Sequence, residues 1–434
     1  ISNWGYDNIY SKLQQNEGYI LIEGKIIQFY RKLKNMKQSE LGEGICSATH
    51  ISKIERGLTE VSQETLQSLA DTLEIDLQTE IKTYMSLDTL LKEWLYSISM
   101  KIYSKADQLK EKLEHVPLLQ MPTFFQFYTL ILTRHYLLTG NQSQALKYLN
   151  KMESCKELSQ FEKNLFLHNK AFYELRYSKN YHKAIAILND IDGNQYTHEY
   201  LYHLAYAYNS INSRVLALYY ASKALQYFKD ARCFTRMIET ETLILMQLAQ
   251  SNEMISLDSE YNRLIDLTVE YGLDDHRASL YTNFGYYKLR EGNYLKAIEC
   301  YENAMYSWEH KNSYYYLCSL EAYINTLIKG KLKSKDEILA LAKVGLKLAK
   351  KTNDLLHIHF FNLHILTIQD QKDDYYQYLE YKAKPYFNKI GLEQASEHYQ
   401  IQLFNYYMEN QEMNKANSLA KSIINKYPNN YQFP

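Results

Sequence analysis

The side chains that point most directly to chemistry are short, polar or basic and lie close together near position 50. Ser47, Thr49 and Lys53 accompany two apolar residues, Ile51 and Ile54, that recur at helical spacing. A helix starting at Ser47 turns Thr49 and Lys53 outward and both isoleucines into a small core. Short polar side chains at the start of such a helix fit the major groove of DNA, and a lysine one turn later reaches phosphate or guanine. The pattern therefore predicts DNA binding.

The segment around these residues is basic. From Gly24 to Leu58 it holds seven lysine and arginine residues against three glutamates, whereas the whole chain has a net charge of −1. Such an excess supplies the salt-dependent part of DNA affinity. A small helical bundle whose charges are merely solvated is the alternative interpretation. Six residues are predicted to contact DNA, namely Gln38, Ser47, Ala48, Thr49, His50 and Lys53.

Local signals divide this segment into several short helices. Gln38 opens one helix, Ser47 is suited to cap the N-terminus of the next, and Gly57 is suited to end it in a left-handed conformation. A short helix, a tight turn and a second helix with an exposed polar start are typical of a helix-turn-helix.

The segment resembles the helix-turn-helix of repressor-type regulators over residues 23–77. The resemblance rests on Arg31, the pair Lys37-Gln38 and the run Ile51-Ser52-Lys53-Ile54-Glu55-Arg56-Gly57. It implies an ion pair between Arg31 and Glu55. The turn reads Ile45-Cys46-Ser47 in place of the usual glycine and is one residue shorter, which resembles the PlcR branch of the peptide-sensing regulators.

Beyond the first quarter, the chain repeats a pattern of small residues. Its clearest unit places Gly285, Ala297 and Ala304 where two helices cross, with Tyr294 and Tyr301 between them. The pattern resembles the tetratricopeptide repeat, a helix hairpin of about 34 residues, and about eight such hairpins fit. They are expected to stack into a right-handed solenoid with a concave inner face. The position of Ala297 recurs as Ala145, Ala184, Ala217 and Ala416, and the last unit adds Pro428.

The concave face of such a solenoid predicts an extended peptide as its ligand. The first helix of each hairpin lines the groove, where asparagines offer a donor and an acceptor to a peptide backbone. Tyrosines supply apolar surface, and Arg134 can pair with a carboxylate. Because the chain holds 43 tyrosines, ordinary repeat packing is the alternative for each of them. The predicted peptide-binding residues are Arg134, Asn169, Tyr173, Tyr202, Tyr206, Asn209, Asn283, Tyr286, Asn325 and Asn362, with Asn405 on or near the same face.

Composition limits the remaining classes of protein. Only 5 prolines and 14 glycines occur in 434 residues, which predicts an all-α fold. We find no apolar run that could span a membrane, and the five dispersed cysteines favour free thiols in the cytoplasm. His357 and His359 lie two residues apart and cannot share a helical face for a metal. Without the motifs of metalloproteases or nucleotide-binding enzymes, we expect no catalytic residues, metal site or cofactor.

The segment between the basic N-terminal part and the repeats reads as amphipathic helix and ends at Pro117 and Pro122. The predicted domains are an N-terminal extension (1–22), a helix-turn-helix domain (23–80), linker helices (81–119) and a tetratricopeptide solenoid (120–434).

A helix-turn-helix followed by a long tetratricopeptide solenoid is similar to the RRNPP group of receptors for signalling peptides, which comprises Rap, Rgg, NprR, PlcR and PrgX proteins. The resemblance implies a cytoplasmic quorum-sensing transcriptional regulator, a homodimer on a palindromic operator, controlled allosterically by a short oligopeptide. The alternative is a Rap-like or NprR-like protein that sequesters or dephosphorylates a response regulator, although Rap proteins carry a helical bundle at the N-terminus. A DNA-bound scaffold without a ligand is the third hypothesis.

Overall fold

The computed structural model describes residues 16–155, 157–250, 256–311, 313–390 and 392–425. Within these ranges every regular element is helical, so the predicted all-α class is confirmed. No described helix combines the length and the apolar character that a membrane crossing needs. Residues 1–15 of the predicted extension, and Pro428, lie outside the described part. Two compact units are present: unit one runs to Tyr173 and includes Ile187–Thr197, and unit two comprises Glu174–Ala186 and the residues from His198 onward.

The N-terminal part of unit one is a compact group of short helices around an apolar centre. The elements are α1 (Asn16–Leu33), α2 (Gln38–Leu41), α3 (Ala48–Glu55), α4 (Gln63–Leu73) and α5 (Leu77–Ser99). Ile27, Ile51 and Leu69, from three of these helices, are completely buried. Helix α1 crosses α3 at Gly24, where a Cβ atom would lie 2.0 Å from the carbonyl oxygen of Ile54. The helices therefore approach as closely as two backbones can.

Helix α5 carries the chain from the helix-turn-helix into the rest of unit one. Helix α5 contacts both α1 and α7 (Pro122–Thr139). In the chain, α6 (Tyr103–Glu114) lies between α5 and α7 and also contacts α5. Pro117 begins a short 3₁₀ turn and Pro122 is the first residue of α7, positions where the missing N–H of proline costs no helical hydrogen bond. The segment predicted as a linker therefore forms two helices that pack within unit one.

From α7 onward short loops connect one helix to the next, and most consecutive helices pack against each other. Unit one continues with α8 (Gln142–Glu153) and α9 (Gln160–Tyr173), and α10 (Tyr181–Asn189) spans the division between the units. Unit two continues with α11 (Glu199–Ser210), α12 (Arg214–Asp230), α13 (Phe234–Ala249), α14 (Asp258–Glu270), α15 (Asp274–Arg290), α16 (Tyr294–Ser307), α17 (Tyr314–Gly330), α18 (Lys335–Lys351), α19 (Leu355–Ile368), α20 (Lys372–Tyr378), α21 (Lys384–Lys389), α22 (Glu393–Glu409) and α23 (Met413–Asn425).

Small residues stand where the paired helices cross, as the repeat pattern predicts. In the pair α15 and α16, a Cβ atom on Gly285 would lie 2.7 Å from the ring of Tyr301, so only a glycine leaves room for that ring. Tyr301 is completely buried. The predicted crossing alanines Ala145, Ala184, Ala217, Ala297 and Ala416 are all fully buried. The tetratricopeptide character of these pairs is thereby confirmed.

Gly285→Ala is expected to lower the free energy of unfolding by about 1 to 3 kcal/mol, because the added methyl group must displace the buried ring of Tyr301. Without this contact, alanine would stabilise a helix interior by about 1 kcal/mol relative to glycine. A loss of stability in Gly285→Ala therefore indicates the close contact with Tyr301. Urea denaturation of Gly285→Ala in the wild-type and in the Tyr301→Leu background measures the coupling. A stabilised single variant, or an equal loss in both backgrounds, would contradict the close crossing.

Candidate nucleic-acid interface and ligand groove

Helix α3 begins and ends where the sequence predicts. The Ser47 hydroxyl accepts a hydrogen bond from the backbone N–H of His50 at 3.2 Å, which caps the helix. Gly57 follows the last turn with a φ of +66°, a left-handed conformation that glycine adopts without strain. Ile51 and Ile54 face the core and are buried. The predicted division of α3 into a buried and an outward face is therefore confirmed.

The outward face of α3 carries the side chains that were predicted to meet DNA. Ser47, Ala48, Thr49 and Lys53 are exposed, and His50 is half-buried at the edge of this face. Their exposure leaves the start of α3 open to a partner, and small side chains there let the helix enter a groove. Contact with DNA itself stays a prediction.

The turn between α2 and α3 differs from the sequence-based description. Because α2 ends at Leu41, the connection contains Gly42 and Gly44 as well as the residues Ile45-Cys46-Ser47. Gly44 has a φ of +75°, and a Cβ atom on Gly42 would lie 2.3 Å from the carbonyl oxygen of Cys46. The inference that this turn lacks glycine was therefore wrong.

A buried ion pair fastens α3 to α1. The Arg31 guanidinium donates to Glu55 through Nε at 2.5 Å and through Nη2 at 3.1 Å, and both residues are buried. The remaining Nη1 donates to the carbonyl oxygen of Met36 at 2.6 Å. This confirms the predicted pairing. Two parallel N–H···O bonds fix the carboxylate in both distance and orientation, so α3 cannot rotate about its axis without breaking them.

Gln38 belongs to the same network. Its side-chain amide donates to the Glu55 carboxylate at 2.8 Å, and Gln28 donates to the same oxygen at 3.3 Å. Gln38 was predicted to contact DNA from the start of α2, and the structure places it half-buried with its Nε2 committed to α3. Its structural role is to join α2 to α3 through a shared carboxylate.

The basic excess divides into internal and external charges. Arg31 is neutralised by Glu55, and Lys34 lies 2.5 Å from the exposed Glu74. Lys37 and Lys53 are exposed on the same part of unit one, on either side of the turn between α2 and α3. Among the described residues neither of these two lysines has an ion-pair partner, so their charges face solvent.

The groove residues predicted in unit one lie inside the packing of α7 with α9. Arg134 is buried with Nη2 3.3 Å from Nε2 of His168, and its guanidinium stacks 4.7 Å above the ring of Phe172. Asn169 is completely buried and donates to the carbonyl oxygen of Leu130 at 2.8 Å. A peptide outside the helices therefore does not reach Arg134 or Asn169 without repacking. Tyr173 is half-buried, and its hydroxyl accepts from Gln142.

Unit two brings two predicted tyrosines together with two that the sequence analysis missed. Tyr206, Tyr314 and Tyr315 have 36%, 51% and 61% of their surface exposed, yet burial raises the pKa of all three phenols. These phenols are therefore partly desolvated although their rings reach solvent. Tyr202 and Tyr206 on α11 lie close enough to Tyr315 on α17 for its charge to raise their pKa further. Together Tyr202, Tyr206, Tyr314 and Tyr315 form what we call the tyrosine groove.

A buried charge network lies beside the tyrosine groove. Arg236 on α13 contacts Glu199 on α11 at 2.6 Å and Glu239 one turn further at 3.3 Å, and its guanidinium lies 5.5 Å above the ring of Tyr202. His276 on α15 lies 3.1 Å from the other oxygen of Glu239. The sequence analysis missed this network. One feature of the sequence could have revealed it. Titratable residues recur about one repeat apart, at positions 199, 236 and 276, each on the first helix of a successive helix pair.

The remaining predicted asparagines fall into two sets. Asn209 accepts a hydrogen bond from Gln247 at 2.5 Å, and Asn362 donates to the hydroxyl of Tyr378 at 3.0 Å. Asn283 and Asn325 are half-buried, and among the described residues no group hydrogen-bonds to either amide. Their amides are therefore available to a ligand. Tyr286 and Asn405 are exposed.

The histidines of α19 do not converge on one point. His357 is bonded to Asp354 at 2.7 Å, whereas His364 lies 2.6 Å from Glu321 on α17. His359 hydrogen-bonds to the hydroxyl of Tyr378 at 2.9 Å. In the part of the chain that the structure describes, no group of three or more histidine, cysteine or acidic side chains is arranged to hold a metal ion.

Glu55→Gln is expected to destabilise the protein by about 3 kcal/mol near neutral pH, because the change leaves the buried guanidinium of Arg31 without its counter-ion. Burial acts to raise the pKa of Glu55, but hydrogen bonds from Arg31, Gln38 and Gln28 outweigh it and hold that pKa below its ordinary value. A lowered pKa stabilises the fold above the unfolded-state pKa, and the gain is lost as the pH falls through the folded-state pKa. The difference between variant and wild type should therefore shrink in acid.

Denaturant unfolding between neutral pH and about pH 3 measures this difference. Glu74→Gln is the matched control, since it removes an exposed carboxylate from Lys34, which directly follows α1, and should cost nothing measurable. Equal effects of the two substitutions, or a pH-independent loss in Glu55→Gln, would refute the role assigned to the buried pair.

The comparisons with known proteins agree with this architecture. Residues 27–79 match the helix-turn-helix family HTH_3. No curated protein matches the sequence. The apo form of the quorum sensor NprR from B. thuringiensis is 17% identical, with 79% of this chain and 99% of that chain covered and a TM-score of 0.62. A Rap protein complexed with Competence and Sporulation Factor is 18% identical, with 79% and 97% covered and a TM-score of 0.66.

NprR in complex with its cognate peptide NprX is 18% identical, with 78% of this chain and 98% of that chain covered and a TM-score of 0.63. At these identities the likeness concerns the fold, which agrees with the resemblance seen in the sequence. The chain thus carries a helix-turn-helix of the HTH_3 family and, over 79% of its length, has the fold of the quorum sensor NprR and of Rap proteins.

Proposed function

We propose that this protein is a transcription regulator that binds DNA through α3 and responds to a short peptide bound in unit two. The observation that carries the proposal is the orientation of α3. Its small and basic side chains Ala48, Thr49 and Lys53 face solvent, while the buried pair of Arg31 and Glu55 fixes the helix from behind. A rigidly held helix with a short polar start is what reading of the major groove requires.

DNA binding by one such helix is weak, because a single helix covers few base pairs. We therefore extend the proposal to a homodimer, in which two copies of α3 enter successive major grooves of a palindromic operator. The half-sites would then lie about one helical turn apart. The exposed lysines Lys37 and Lys53 would contact phosphates, which adds a salt-dependent component to the affinity.

The ligand assigned to unit two is an extended peptide. The tyrosine groove offers exposed aromatic surface, which binds apolar side chains at a small entropic cost. Asn283 and Asn325 lie half-buried with amides that no described residue engages, and each amide can donate to and accept from a peptide backbone. NprR is known in complex with the peptide NprX, and the present chain has its fold. The peptide would act on DNA binding only through a difference in its affinity for two arrangements of the protein.

The combined substitution Thr49→Ala and Lys53→Ala should abolish specific DNA binding, since it removes the predicted base and phosphate contacts from the exposed face of α3. We expect at least about a tenfold loss of affinity and a smaller dependence on salt. A mobility-shift assay at fixed salt, with DNA selected from a random pool by the wild-type protein, gives the readout. Lys112→Ala on α6 removes an exposed lysine of the same unit and should bind normally. If the double variant also binds normally, α3 is not the recognition helix.

Asn283→Ala should weaken peptide binding by about tenfold, because it removes one donor and one acceptor to the peptide backbone. A suitable probe is a synthetic short peptide selected for thermal stabilisation of the wild-type protein, titrated by calorimetry. Asn209→Ala tests a residue that is already tied to Gln247 and should show a smaller loss. Asn262→Ala on α14 is the control, since this exposed asparagine lies on the second helix of its pair. Wild-type affinity in both Asn283→Ala and Asn209→Ala would overturn the assignment.

A further inference from the structure

A cleft beside the tyrosine groove carries positive charge without a matching negative charge. It lies within unit two, where the start of α10 and the end of α11 meet the end of α21, and it has a volume of about 270 Å³. No acidic side chain is among the described residues that line it. The lining residues are Ser178, Lys179, Asn180, Tyr181, His182, Ser210, Ile211, Asn388, Lys389 and Ile390.

Lys179 lines this cleft from the turn that precedes α10. Its φ of +54° lies in the left-handed region, which is strained for a side chain other than glycine or asparagine. Burial lowers the pKa of the Lys179 ammonium, and the nearby charge of Arg176 lowers it further. Among the described residues no carboxylate pairs with Lys179. The Lys179 residue still reaches solvent, so the effect is partial, and an anion that joins the two cations relieves it.

Lys389 brings a second ammonium group to the same cleft from a distant part of the chain. It is the last residue of α21, it is exposed, and no described residue forms an ion pair with it. Glu174 lies five residues before Lys179, but it is already paired with Lys183 at 2.6 Å. Its carboxylate therefore does not neutralise the two lysines of the cleft. Two lysines therefore face one cleft with no internal counter-ion.

Backbone N–H groups of the cleft favour an anion as well. Helix α10 begins at Tyr181, and the side chain of Asn180 accepts from the N–H of Lys183, so the N–H groups of Tyr181 and His182 at this helix start have no helical acceptor. Free carbonyl groups at the end of α11 would repel an anion. Here N–H groups beyond the helix bond to them, as the N–H of Ser213 does to the carbonyl oxygen of Tyr208, and this weakens the repulsion.

We propose that this cleft binds a small oxyanion, phosphate or carboxylate, between the ammonium groups of Lys179 and Lys389. The hydroxyl of Ser178 and the ring of His182 line the same space and supply further polar contacts, whereas the Ser210 hydroxyl already donates to the carbonyl oxygen of Tyr206. The anion is either free in solution or the charged end of a ligand that lies in the adjoining tyrosine groove. The site does not depend on DNA binding, and it does not require the peptide assigned above.

Titration calorimetry with inorganic phosphate tests the site on the full chain. Wild-type protein should bind phosphate saturably with a Kd on the order of 1 mM, and the double variant Lys179→Gln with Lys389→Gln should bind at least about tenfold more weakly. The double variant Lys347→Gln with Lys351→Gln removes two exposed lysines of α18 and should keep the wild-type affinity. Because Lys179 lies in a strained segment, Lys389→Gln alone is measured in parallel.

Absence of saturable phosphate binding to the wild type, or equal affinity in the cleft and control variants, would refute the site. The source of the anion is decided by a second comparison, in which the peptide selected above is titrated with a free and with an amidated C-terminus. A preference for the free carboxylate that disappears in the cleft variant assigns the anion to the ligand. Equal binding of both forms, together with saturable phosphate binding, assigns a free anion. The phosphate titration uses no peptide, so its outcome does not depend on the proposed peptide function.

Discussion

The constraint on which most of this structure depends is the close approach of helices at positions where a side chain is absent or small. Gly24 allows α1 to touch the backbone of α3, Gly285 accommodates the ring of Tyr301, and Gly345 accommodates the ring of Phe361. A large aromatic ring on one helix fills the space that a glycine on its partner leaves open. Such pairs bury much apolar surface per residue, which stabilises the contact between the two helices. The same rule thus acts in the helix-turn-helix and in the repeated helix pairs.

Buried charge provides the second kind of order. Arg31 with Glu55 fixes the orientation of α3, and Arg236 with Glu199 and Glu239 joins α11 to α13 below the ring of Tyr202. Each network is costly to leave incomplete, because a buried charge without its partner is strongly destabilised. Its partners therefore fix the relative position of two helices more sharply than apolar contacts do. In both places the fixed helix presents a candidate binding surface on its opposite or adjoining face.

The candidate sites differ in the size, exposure and charge of their side chains. On α3 the outward residues are small and exposed, so a partner can approach the helix itself. In unit two the tyrosine groove is lined by large side chains that are partly desolvated before any ligand arrives. The cleft next to it holds two lysines whose charges no described carboxylate balances. A ligand with an apolar body and an anionic group would satisfy the two neighbouring surfaces of unit two together.

The sequence by itself determined the helical class, the cap and core faces of α3, the pairing of Arg31 with Glu55, and the crossing alanines of the repeats. The helical class and the two faces of α3 follow from composition, short-range periodicity and capping residues, which do not depend on distant parts of the chain. The pairing of Arg31 with Glu55 and the crossing alanines were implied by the resemblance to helix-turn-helix and tetratricopeptide families. The turn between α2 and α3 was described wrongly as lacking glycine, because helix ends are set by local hydrogen bonds that spacing does not reveal. Only the tertiary structure decided that Arg134 and Asn169 are enclosed by their neighbours, whereas Tyr314 and Tyr315 join Tyr202 and Tyr206. It also decided that Lys179 and Lys389 line one cleft, since exposure and long-range proximity depend on how successive helix pairs stack, and no single repeat encodes that.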